Sequence, residues 1–210
     1  MFFIFELIIF LFAVILHEVA HGLVAEHLGD PTARQAGRLT LNPLAHIDPI
    51  GSVLLPILLA IPALYGAPTI IFGWAKPVPY NQNNLKNPRS GAVKIALAGP
   101  ITNLLIALIF GLFLRAAIGY QMGTLILPLG LIIYINIVLG VFNLVPIPPL
   151  DGSKLLYLFL PQDQRGYRIM AVLERYGFIV LLAFLFWGFG IVSYVANLIF
   201  SLIVGHVAGF

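Results

Sequence analysis

The chain of 210 residues contains no cysteine, and only 9% of its residues are charged. The first absence removes disulfides and thiolate metal ligands, so a metal here would be held by nitrogen and oxygen. It says nothing of the redox compartment. The second absence removes the ordinary soluble domain, in which about a quarter of residues carry charge. With 60% hydrophobic residues, the chain reads as an integral membrane protein. A net charge of +3 spread over so few ionisable groups carries topology, not nucleic-acid affinity. There is no internal repeat. The first apolar run lacks a basic leader and a small-residue cleavage site, so it reads as a retained span, not a signal peptide.

Apolar runs cover Phe2–Leu28, Gly51–Trp74, Gly91–Ile118, Thr124–Val145 and Phe178–Val207. The second is broken by Pro56, Pro62, Gly66 and Pro68, and the last is either one tilted span or a hairpin bent near Gly188 and Gly190. If every run crossed once, the loops would divide the basic residues eight against three. If Gly51–Trp74 leaves and returns on one side, the division is ten against one, which suits the positive-inside rule better. Irregular backbone at membrane depth is tolerated where protein or a cavity surrounds it. The expectation is an all-α integral membrane protein: a polytopic helix bundle with a re-entrant or broken segment, forming one domain over residues 1–210. Loops 29–50, 75–90 and 153–177 then share the cytoplasmic face. The N-terminus and the turn from Arg115 to Gly123 lie opposite.

Charge is scarce, so where it sits inside a span is informative. His17-Glu18-Val19-Ala20-His21 lies within the first apolar run. A charged side chain at the bilayer centre costs roughly 2.5–3.5 kcal/mol on insertion scales, so such groups usually mark function. Residues 17 and 21 are four apart, and their imidazoles project from one helix face at a rise of about 6 Å. Two nitrogens so placed can share a tetrahedral metal, with the adjacent carboxylate of Glu18 as base. The plainer alternative, two packed histidines in a core, accounts less well for three polar groups within little more than one turn.

A catalytic zinc usually takes a third protein ligand. Glu6 lies about 16 Å up the helix axis and is too far. Glu26 points to another face. Asp163 and Glu174 sit among basic residues and read as surface charges, and Asp30, between Gly29 and Pro31, reads as helix-stop chemistry. His27 occupies the metzincin-type position, but Val24 stands where those enzymes need glycine, so the helix carries it away. Asp48 and His46 stay open as alternatives. Asp151 is the best candidate. It follows a span that Pro146, Pro148 and Pro149 interrupt, and Gly152 after it permits a positive-φ turn. Capping a following helix is its ordinary explanation, but the two histidines lack a third ligand. For His17–His21 to meet Asp151, the two spans bearing them must run in the same direction. That again requires Gly51–Trp74 to make no net crossing.

The chain resembles the site-2 protease family of intramembrane zinc metalloproteases, which pairs His-Glu-x-x-His with Asn-x-x-Pro-x-x-x-x-Asp-Gly. Both motifs match in full, at His17, Glu18 and His21 and at Asn143, Pro146, Asp151 and Gly152. Ala98-Gly99-Pro100-Ile-Thr-Asn103 resembles a further family motif. The resemblance implies Zn2+ held by His17, His21 and Asp151, Glu18 as catalytic base, and Asn143 as a polar group near the scissile carbonyl. It implies a minimal prokaryotic-type member without a PDZ-like domain, multi-pass in a prokaryotic cell membrane. Its partners would be the lipid bilayer and a membrane-protein substrate.

The expected reaction is hydrolysis of peptide bonds within or next to transmembrane segments. Asn143 would donate to the developing oxyanion, a kind of contact whose loss costs about 2.7–4 kcal/mol. Asn103 would serve similarly or bond helix to helix. Gly73–Tyr80 is either an extended edge that pairs with an unwound substrate or a Pro-rich connector. A metal transporter is the rival reading. It has no use for a base at Glu18, and transporters often carry the paired repeats this chain lacks.

Overall fold

The computed structural model describes residues 2–54, 57, 58, 61, 65 and 75–205. Among them are five long helices: α1 (Phe2–His27), α2 (Pro88–Gly119), α3 (Gly123–Asn143), α4 (Gln164–Trp187) and α5 (Phe189–Val204). The described residues contain no β-strand. The first four are long and apolar enough to cross a membrane. Their boundaries follow local chemistry. Gly29, with φ 105°, terminates the chain segment leaving α1. Asn87 caps α2 by accepting from Ser90 N–H, and Pro88 fills its first turn. The prolines after Asn143 stop α3.

Helix α2 lies between α1 and α3 and packs against both. It joins α3 through a tight turn at Tyr120–Met122, so it runs antiparallel to α3. His17 of α1 reaches Asp151, eight residues past the end of α3. Hence α1 and α3 run in the same direction, as the sequence requires.

The ends of the Gly51–Trp74 run are fastened together. Lys76 N–H donates to His46 O at 2.9 Å. Arg38, buried, donates through one nitrogen to Lys76 O at 3.0 Å and Pro77 O at 3.2 Å. The chain therefore leaves and returns on one face. Apart from a short π-helical turn at Pro49–Leu54, the course of this run lies largely outside the described residues.

The last apolar run is one kinked path to Val204, not a hairpin; residues 206 and 207 lie outside the described residues. Gly188 has φ −101° and ψ −15°, and donates to Phe184 O at 2.7 Å as a helical residue would. Contacts follow α3 and α2 in order: Gly177 at Pro148, Phe189 at Phe142, and Leu202 O accepting from Arg115. Where α2, α3 and α5 meet, Ala107, Leu114, Ile133, Ile137, Ala196 and Val204 form a closed apolar core. Leu112, Phe113, Ile179 and Ile191 are exposed on the outer surface, as lipid-facing residues are.

Candidate active site

His17, His21 and Asp151 come together from two elements, with one potential ligand atom from each lying within 4.8 Å of the others. His17 Nε2 is 2.9 Å and His21 Nε2 3.2 Å from Asp151 Oδ2. The imidazoles meet edge-on, with centroids 4.7 Å apart and planes at 86°. The helical spacing of four sets this pair.

The far side of each ring is also fixed. His21 Nδ1 is 2.6 Å from Ile95 O, an acceptor, so Nδ1 carries the proton. His17 Nδ1 is 2.6 Å from Asn103 Oδ1. In the neutral rings both Nε2 atoms therefore turn a lone pair toward the carboxylate. Three electron-rich atoms at this spacing repel unless a proton or a metal cation draws them together, and two imidazoles with one carboxylate suit zinc. The residues fit such an ion.

Two glycines make the approach possible. A Cβ on Gly99 would fall 2.5 Å from His17 Nε2. One on Gly152 would fall 2.1 Å from Leu144 O. Gly152 is not among the positive-φ glycines, so the expected left-handed turn is replaced by a close approach. The residue sits in a 3-10 turn, Asp151–Leu155, folded against the end of α3. Asp151 opens that turn without capping it.

Glu18 is half-buried, and its Oε2 accepts from Val78 N–H at 2.9 Å. Its carboxylate thus has a structural partner that its sequence context does not reveal. Val78 belongs to Ala75–Tyr80, an irregular segment without regular secondary structure. Gly73 and Trp74 of the expected substrate edge lie outside the described residues. In the rest, Pro77 and Pro79 have no N–H, Lys76 and Val78 donate internally, and the carbonyls of Lys76 and Pro77 accept from Arg38. Asn143 Nδ2 donates to Leu139 O at 3.0 Å, back into its own helix.

The other candidates stand apart from this cluster. His27 is exposed at the end of α1. His46 Nε2 lies 2.9 Å from Thr40 O, and Asp48 accepts from Ile50 and Gly51 N–H. Asp163 caps α4, and Glu174 pairs with Lys154 at 2.7 Å. Asp30 does more than end α1. Fully buried, it accepts from Thr32, Asn81 N–H and Asn84 Nδ2, tying residues 81–84 to the end of α1. Burial opposes its ionisation, but these donors outweigh burial and hold its pKa below the usual carboxylate value.

Residues 119–185, which carry Asn143 and Asp151, match the family model Peptidase family M50. YwhC of Bacillus subtilis, provisionally named a zinc metalloprotease, is 41% identical over 174 residues, covering 80% of this chain and 73% of YwhC. The chain belongs to peptidase family M50. Rip2 of Mycolicibacterium smegmatis, also provisionally named a zinc metalloprotease, is 31% identical over 176 residues. That match covers 83% of this chain and 64% of Rip2. No solved structure matches. As an M50 site-2 protease, the chain is a zinc metalloprotease of a prokaryotic membrane.

Asn136, the carbonyl of Ile95 and the Val78 N–H that holds Glu18 are parts of this site that sequence reading missed. A backbone carbonyl has no side-chain signature, and a lone asparagine in an apolar helix reads first as a helix–helix contact. The family-like run around Gly99 and Asn103 was the available signal.

Proposed function

We propose that this M50 protein hydrolyses peptide bonds within or beside transmembrane segments of other proteins. His17, His21 and Asp151 are its zinc ligands and Glu18 its base. The observation that carries the reading is the convergence of two Nε2 lone pairs and one carboxylate oxygen, with both Nδ1 atoms already engaged. When bound, zinc supplies a Lewis acid that polarises a peptide carbonyl and acidifies water to a pKa near 7.

The chain's own groups do the rest. Val78 N–H holds Glu18 Oε2, which leaves Oε1 to take the proton of the attacking water and pass it to the leaving amine. Asn143, at the end of α3, donates to the oxyanion once its amide swings away from Leu139 O. A helical substrate hides its carbonyls in its own hydrogen bonds, so it must unwind before attack. The apolar outer surface of the bundle places the protease in the bilayer, where such a substrate lies.

Metal content and cleavage of a transmembrane test substrate, measured together, test this reading. Wild type should carry about one zinc per chain. Asp151→Ala, His17→Ala and His21→Ala should each lose zinc and bring cleavage to background. Full zinc retention by Asp151→Ala removes it from the ligand set.

A further inference from the structure

Three buried polar side chains form a line across the bundle, and the reaction as described uses only one of them. Asn136 of α3 is 2% exposed, Asn103 of α2 is fully buried and His17 of α1 is 5% exposed. Asn136 Nδ2 donates to Ile132 O at 2.9 Å, in its own helix. Asn136 Oδ1 then accepts from Asn103 Nδ2 at 2.9 Å. Asn103 Nδ2 also donates to Ala13 O at 3.2 Å, and Asn103 Oδ1 receives His17 Nδ1–H at 2.6 Å.

Each amide in this line can point only one way. Turning Asn136 over would set its NH2 against that of Asn103, and its oxygen against Ile132 O. Turning Asn103 over would place its oxygen against Ala13 O and Asn136 Oδ1, and its NH2 against His17. In an apolar interior, each such mismatch leaves groups unsatisfied that no water can reach. The carbonyls of Ile132 and Ala13 are fixed by their own helices, so the direction of the line is set from α3 through Asn136 and from α1 at Asn103.

The geometry points to Asn136 as a positioning residue. Through Asn103 it fixes His17 in the Nδ1–H tautomer and so keeps the Nε2 lone pair turned to the zinc site. Asn103 is thereby committed to the histidine and not to the substrate carbonyl. This inference rests on His17 being a zinc ligand, as proposed above. It adds that α3 contributes to the site from its middle, besides the turn after it that carries Asp151. Partners behind metal-bound histidines typically matter 10–100-fold in metal affinity or activity.

The test compares Asn136→Leu with Asn136→Asp in the full-length protein in detergent. Zinc affinity is read by chelator competition, folding by helical content and thermal midpoint. Leucine fills the volume but presents no acceptor. Asn103 then keeps only the longer bond to Ala13 O, and zinc should bind 10–100-fold more weakly in a folded protein. Aspartate presents an acceptor to Asn103 Nδ2 whether ionised or not, so affinity should stay within a few-fold of wild type even if the midpoint falls. A role in packing alone predicts the reverse order, because leucine suits an apolar bundle better.

Two further readouts hold if either variant folds poorly. The 15N shifts of His17 in metal-stripped wild type should report the Nδ1–H tautomer. Asn103→Leu with Asn136→Leu should bind zinc no more weakly than Asn103→Leu alone, because Asn136 acts only through Asn103. Unchanged zinc affinity in folded Asn136→Leu, an Nε2–H tautomer in wild type, or additive losses in the double variant would each overturn the inference. Zinc bound normally by His17→Ala would instead overturn the ligand set on which it rests.

Discussion

The contact between α2 and α3 has two ends, and they are built on opposite principles. Around Gly99 and Asn103 the interface is a line of polar groups that satisfy one another, ending on the imidazoles and Asp151. Around Gly111 and Leu114 it is closed hydrocarbon, with α5 as the third wall. Both ends use a glycine for close approach. At Gly99 the neighbour is the His17 ring, and at Gly111 it is the Ile203 methyl group, 2.0 Å from where a Cβ would stand. The apolar end holds the bundle by shape, with the Arg115 bond to Leu202 O at its rim. The polar end accepts the cost of buried amides and imidazoles because their directions serve the chemistry.

The glycines give the sharpest way to break this comparison. Gly99→Ala should push the His17 ring off its position, weakening zinc binding at least tenfold and cutting cleavage accordingly, as losses of ligand orientation do. Chelator competition and a cleavage assay read both. Gly111→Ala should cost about 1–3 kcal/mol by overpacking while the folded fraction keeps wild-type zinc affinity. A thermal midpoint measured beside metal content separates the two. Equal zinc losses at both positions would show that the two ends are not independent.

The smallest expected effect lies at Asp30, outside both interfaces. Its native pKa is lowered, so its stabilisation is present above the unfolded carboxylate value of about 3.9 and is lost as pH falls through the lower native value. The protection of residues 81–84 against hydrogen exchange, relative to the intrinsic rate at each pH, should therefore fall in acid in the wild type. In Asp30→Asn, exchange should already be faster at neutral pH, by about 1 kcal/mol of local stability. It should then show no further loss in that acid range.

Much of the polar end was legible in the sequence and little of what fastens it. His17, Glu18 and His21 announce themselves because ionisable groups are scarce in an apolar helix. Asp151 stands out because three prolines break a span before it. The direction of the spans follows from basic residues, and Arg38 and His46 meeting Lys76 agrees with it. The partners of Glu18 and His21 are backbone groups, Val78 N–H and Ile95 O, which leave no mark in residue type. In sequence Gly188 leaves both a single tilted span and a hairpin open, and its helical dihedrals make only a kink. Asp30 was legible as a helix stop. Its link to residues 81–84, some fifty positions away, is a tertiary fact.

The account turns on Glu18 as the base beside a zinc held by other residues. Glu18→Gln preserves the side chain's size and can still accept from Val78 N–H, but it cannot take up a proton. The direct measurement is zinc content together with cleavage of a transmembrane substrate in liposomes, wild type against Glu18→Gln, read by mass spectrometry. The account predicts about one zinc per chain in both proteins and cleavage reduced by about 10²–10⁴-fold or more in the variant. Cleavage by the folded, zinc-loaded variant at the wild-type rate would contradict it.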